Sequence, residues 1–156
     1  MNIFLLDYDI ETNARYHCDK HVVKMCIEYV QLLSSVHYLK GKPAGYKLTH
    51  KNHPCAIWAR ESLSNYDYLL ELALALGEEY TYRYGKLHKS IEEVLIGLPP
   101  IKFEDKGLTP FVKAIANPEI KAIADPVEAY RTYYNKEKSS FATWKKREIP
   151  AWYSPV

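Results

Sequence analysis

The sequence predicts a mainly α fold: one compact helical domain over residues 1–156, with long connecting loops and an aromatic, basic C-terminal arm. Three observations predict it. Apolar residues recur at helical spacing over several long stretches, each bounded by residues that start or stop helices. Strict alternation of apolar and polar residues, the mark of a half-buried strand, is weak throughout. A chain of 156 residues is long enough for one real core and short for two.

The elements follow in order. Asn2 to Leu6 is a short apolar stretch, extended or leading into a helix. Thr12 or Asn13 caps a helix that runs to Leu39, ahead of Gly41, with a break near Cys18. GKPAGYKLTHKNHP, residues 41 to 54, has the glycine, proline and polar residues of a loop, and Pro54 suits the first turn of a helix through Trp58 and Arg60. Ser64 caps the next helix, NYDYLLELALALGEEYTYRY, which stops at Gly85. Residues 87 to 96 form a shorter helix, and 96 to 110 the longest irregular connector. Phe111 to Ala116 form a helical turn. Asp125-Pro126 supplies a cap and a first-turn proline for a helix to about Lys138. FATWKKREIPAWYSPV is a short helix followed by an irregular arm.

Composition excludes several classes. With 47% hydrophobic and 26% charged residues the chain reads as soluble and globular, and no apolar run approaches the length that spans a bilayer. Three cysteines (Cys18, Cys26, Cys55) make an odd number. The opening MNIFLLDYDIE lacks the basic region of a secretory leader, so these read as thiols of a reducing cytoplasm (a host's, if a phage encodes the chain). A net charge of +2 is too small to argue for nucleic acid alone, but its distribution is polarised. Arg131 to Arg147 holds six basic residues against Glu137, as an anion-binding face needs, while the first twelve residues carry Asp7, Asp9 and Glu11 and no Lys or Arg.

The most informative stretch is HCDKHVVKMCIEYVQLL, residues 17 to 33. At 100° per residue His17, His21, Lys24, Glu28 and Gln31 share one stripe about 80° wide, while apolar residues wrap the other faces. A helix apolar on most sides is a core helix, so its polar stripe should face a cleft. The plainer reading makes Lys24 and Glu28 a surface ion pair and the histidines backbone-satisfied. A second cluster, His50, Lys51, Asn52 and His53 with Arg60 beyond, leads into a helix N-terminus that favours an anion such as phosphate; alternatively Asn52 or His53 merely caps the helix. In the tail, Trp144 and Trp152 interleave with Lys145, Lys146 and Arg147, which suits phosphate contact and base stacking, or equally an arm pinned by its tryptophans. Tyr80, Tyr82 and Tyr84 around Arg83 read as packing. A metal on His17 and His21 is the lesser reading. The metalloprotease pattern wants Glu where Cys18 stands, and no Cys-x-x-Cys pair is present.

The order of these pieces resembles the phage-type pyrimidine-dimer DNA glycosylases with abasic-site lyase activity, the endonuclease V-like family. Asp19-Lys-His21 followed by Glu28 resembles that family's Asp-x-His and catalytic Glu at the same seven-residue gap. SSVHYLKGK, GYKLTHKNHP, NYDYLLEL and Thr143-Trp144 resemble further pieces spread over most of the chain. The resemblance implies a compact helical monomer acting on double-stranded DNA, with no cofactor. The amine at the chain's start would attack the sugar C1′, and Glu28 would stabilise the resulting imine and assist β-elimination. An ordinary α-amine titrates at about 7.7–8.0, against about 10.4 for lysine, which suits a nucleophile at neutral pH. Asn2 stands where the phage members carry a small residue, which leaves the Met1 amine as nucleophile, with Lys24 second. Ile27 and Gln31 replace arginines that flank the family's Glu, so phosphate or base contacts pass to Lys24, Arg15 or the 50–53 loop. The expected site is thus Glu28, Met1, His21, Lys24 and His17 for chemistry, and His50, Lys51, Asn52, His53, Arg60, Trp144, Lys145, Lys146 and Arg147 for DNA. Two alternatives stand beside it: a nucleic-acid or nucleotide-binding protein without lyase chemistry, and a metal-dependent nuclease or hydrolase using His17, His21, His50 and His53.

Overall fold

In a computed structural model describing residues 1–156 the chain is helical and has no strands. Two long helices form its centre: α2 (Asp19–Leu39) and α4 (Leu63–Tyr84) pack along each other, with α1 (Ile10–Tyr16) and α3 (Pro54–Glu61) against α4. A π-helical turn (Ser90–Val94) and a 3-10 turn (Leu95–Gly97) take the place of the α-helix expected over 87 to 96. Gly77 lets that turn sit on α4, because a Cβ there would meet Ile91 at 2.9 Å. A short α5 (Pro118–Lys121), absent from the sequence reading, precedes α6 (Pro126–Glu137).

The break near Cys18 is real, and it separates α1 from α2. The cap is Asp9, ahead of the expected Thr12 or Asn13, since the Asp9 carboxylate accepts from the Thr12 backbone N–H and hydroxyl. Asn13 is therefore inside α1 and fully buried. Pro54 opens α3 with His53 as its cap, Gly85 ends α4 in the left-handed conformation, and Asp125-Pro126 opens α6. Phe111 to Ala116 form no helical turn. Their polar groups are drawn to distant partners instead: the Ala114 carbonyl accepts from the Asn2 amide, and its N–H donates to the Tyr130 hydroxyl. The tail contains no helix either. Trp144 is buried and donates to the Tyr16 carbonyl at 2.8 Å, which decides for a pinned arm over a stacking platform.

The largest fully buried side chain is a charged one. Arg83 pairs with Glu79 at 2.7 Å and Asp19 at 3.0 Å, and donates to the Arg15 carbonyl at 2.8 Å. Glu79 also receives Arg147 through both oxygens, and Asp19 receives the Thr143 hydroxyl and the Lys145 N–H. Burial alone would raise the Glu79 carboxyl, but the hydrogen bonds from Arg147 and Arg83 outweigh it and hold it below the ordinary carboxylate range. One guanidinium thus joins α1, α2, α4 and the C-terminal arm.

Removing it leaves two carboxylates with fewer partners in a dry setting. Arg83→Met should cost about 3–5 kcal/mol in urea unfolding, with Arg147→Met, whose side chain is 27% exposed, costing less.

Candidate active site

The first six residues form an extended segment that lies on α2. Its backbone has no neighbouring strand, so side chains satisfy it. The Phe4 N–H donates to the Tyr29 hydroxyl at 3.1 Å and its carbonyl accepts from Asn13 at 3.0 Å. The Leu6 N–H donates to Asn13 Oδ1 at 2.8 Å and its carbonyl accepts from Arg131 at 2.8 Å. At the other end Asn2 donates to Ala114 and accepts from Tyr130.

This clamp sets a register. The Phe4 ring stacks on His21 with centroids 4.2 Å apart, and the Met1 amine reaches Glu28 Oε1 at 3.4 Å. Three extended residues cover about 10 Å and seven helical residues about 10.5 Å. The segment therefore runs antiparallel to α2 and delivers its amine beside the one carboxylate on that face. The side chains of Met1 and Glu28 are 4% and 13% exposed, and both residues as a whole are half-buried. Lys24 Nζ lies 3.7 Å from the other Glu28 oxygen, but its side chain is 63% exposed.

The stripe read from the sequence divides into groups with different work. His17 is not on α2 at all: it lies in the break before it, fully buried. Its Nδ1–H donates to the Asn13 carbonyl, so Nε2 accepts from Tyr29, whose oxygen in turn accepts from Phe4. His21 is 5% exposed between Phe4 and the Tyr134 hydroxyl, which shares a hydrogen bond with its Nδ1 at 2.6 Å. Both rings belong to the floor under the N-terminal segment rather than to an open cleft, because the segment itself covers the stripe. Gln31 is half-buried, and the cavities along α4, one of about 650 Å³, are lined by neither Met1 nor Glu28.

The second expected cluster adjoins the amine. Burial pushes His53 below its usual range, and the positive charges of the Met1 amine and His50 add to this while Glu28 opposes it. The Cys55 thiol, raised to about 11 by burial, lies against the Ile3 backbone and feels the same amine and carboxylate. His53 Nδ1 accepts from the Cys55 N–H and so caps α3. Lys51 and Asn52 are exposed beside it, while His50 takes a left-handed backbone and bonds Thr49. Arg60 braces this loop through the Lys51 carbonyl at 2.6 Å. The tail residues sit apart, on α4: Lys145 over Tyr84, Lys146 over Tyr82, and Arg147 on Glu79 and Tyr82. No three His, Cys, Asp or Glu side chains converge to hold a metal, so His17, His21, His50 and His53 are not brought into one ligand set.

Sequence reasoning missed Asn2, Asn13, Tyr29 and Tyr130, the residues that hold the amine in place. Tyr29 falls inside the apolar pattern of its helix and Asn13 at a position that suits a cap. Their only signal was a polar atom inside an apolar pattern.

Desolvation lowers His17 to about 4 and His21 to about 3. Unfolding frees both to titrate at about 6.5, so the unfolded chain binds more protons and stability falls as pH drops below that value. His37, His53 and His88 are shifted the same way. The urea midpoint should decline steadily from pH 7.5 to 5.5, and less steeply in a His21→Gln variant. A flat profile across that window would contradict buried neutral rings.

Residues 1–93, more than half of the chain and including the N-terminal segment and α1 to α4, match the family model described as pyrimidine dimer DNA glycosylase. Neither a curated protein nor a solved structure matches.

Proposed function

This chain belongs to the pyrimidine dimer DNA glycosylase family, and we propose that it excises a damaged or modified pyrimidine from double-stranded DNA and then cleaves the abasic strand through an imine on its Met1 amine. The observation that carries this reading is the 3.4 Å approach of that amine to Glu28, on a segment whose Phe4 and Leu6 backbone groups are held by Tyr29, Asn13 and Arg131.

The Met1 nitrogen, having shed a proton, attacks C1′; the glycosidic bond breaks with its electrons on the base, which takes up a proton. Opening of the sugar gives a C1′=N imine, whose positive charge a carboxylate at this distance stabilises. Loss of a C2′ proton, with Glu28 as the adjacent base, expels the 3′ phosphate, and water then releases the amine. His21 and His17 act as positioning residues through Phe4 and Tyr29. The exposed Lys51 and Asn52, at the N-terminus of α3 beside the amine, offer donors to a phosphate. A nucleotide turned out of the duplex would bring its own walls to the amine.

The test is borohydride trapping on duplex DNA with one abasic site, in EDTA. Wild type should give a covalent adduct that is lost when the α-amine is acetylated, and Glu28→Gln should slow strand cleavage about 10²-fold or more. An adduct surviving acetylation would move the nucleophile to Lys24. Binding without adduct or cleavage would reject the lyase reading in favour of DNA binding alone.

A further inference from the structure

The basic residues of the tail, which the sequence offers as the DNA contact, are largely engaged within the protein. Arg147 is held by Glu79, Lys146 donates to the Tyr82 carbonyl, and Trp144 is buried. A different basic surface lies over Phe141 and Tyr133, beside the Phe4 and His21 rings. Lys20 Nζ sits 4.4 Å from the ring centre of Phe141, and Lys138 Nζ sits 4.7 Å from that of Tyr133 and 5.9 Å from that of Phe141. Neither lysine makes an ion pair, whereas Arg83, Arg131, Arg147 and Lys24 all do.

The rings beneath them are continuous with the floor of the site: Phe141 packs edge-on against His21 at 5.6 Å, and Tyr133 stacks with Phe4 at 6.4 Å. Lys20 and Lys138 share the Phe141 ring, which brings their ammonium groups to one place on the surface. Resting on an aromatic ring positions an ammonium without neutralising it. It also covers the ring face, so the surface is built for phosphates rather than for stacked bases. Lys20 lies eight residues from Glu28, about 12 Å along the helix, the reach of three to four nucleotides of one strand at about 3.4 Å each.

We propose that Lys20 and Lys138, seated on Phe141 and Tyr133, bind backbone phosphates of the DNA strand that carries the target nucleotide. The inference rests on the DNA reading above but not on the imine chemistry. It is tested by binding of a duplex with a tetrahydrofuran abasic analogue, which cannot form an imine, measured across a KCl series. A Lys20→Gln/Lys138→Gln variant should bind more weakly and lose about 1.8 from the slope of log K against log salt, about 0.9 for each phosphate released. A Lys146→Gln variant, whose ammonium donates to the Tyr82 carbonyl in wild type, should leave the slope near that of wild type. An unchanged slope in the first variant, or the loss appearing in the second instead, overturns the proposal. Trapping of wild type on a natural abasic site, run in parallel, reports on the imine separately, so failure of one reading does not mimic failure of the other.

Discussion

An extended segment with no partner strand must still satisfy its backbone, and in this protein that constraint decides where the chain's amine lies. Asn13, Tyr29 and Arg131 take the place of a neighbouring strand, bonding the N–H and C=O groups of Phe4 and Leu6. Two of them are themselves held, Tyr29 by His17 and Arg131 by Asp7. A slip of one residue would move the amine by about 3.3 Å and take it away from Glu28. It would also leave several buried groups unpaired, each costing about 1–3 kcal/mol. The register is therefore strongly specified, and the geometry of the amine and carboxylate is inherited from it.

The buried Arg83 does the same for the other end of the molecule. It binds the first turn of α2 through Asp19, and Asp19 receives Thr143 and Lys145 from the arm. The arm then lies across α1 and α4 with Trp144 on Tyr16. Charge in this protein thus has two uses. Arg83, Glu79, Asp19 and Arg147 spend it on each other and hold helices together, while Glu28, Lys24, Lys20 and Lys138 stand on one side of α2 with groups facing outward or toward the amine.

Much was legible from the residues alone. Helical periodicity placed α2, α4 and α6, and Pro54, Gly85 and Asp125-Pro126 marked boundaries that the structure keeps. Glu28 stood out because a carboxylate in an otherwise apolar helix needs a reason, and the Met1 amine beside it supplies one. These features depend on spacing within a dozen residues, where φ/ψ preferences and side-chain direction act.

Whether His17 and His21 faced a cleft or lay beneath the N-terminal segment was a tertiary matter, as was whether Trp144 stacked or anchored. So was the fate of Phe111 to Ala116, whose backbone bonds Asn2 and Tyr130 rather than itself. The physical reason is common to all three. A polar group's role depends on which partner completes its hydrogen bonds, and here those partners lie far along the chain: His21 with Tyr134, Trp144 with Tyr16, Asn2 with Ala114. The sequence by itself determined the helices and the ionisable residues gathered on them; only packing decided which of those residues hold the fold and which remain for chemistry.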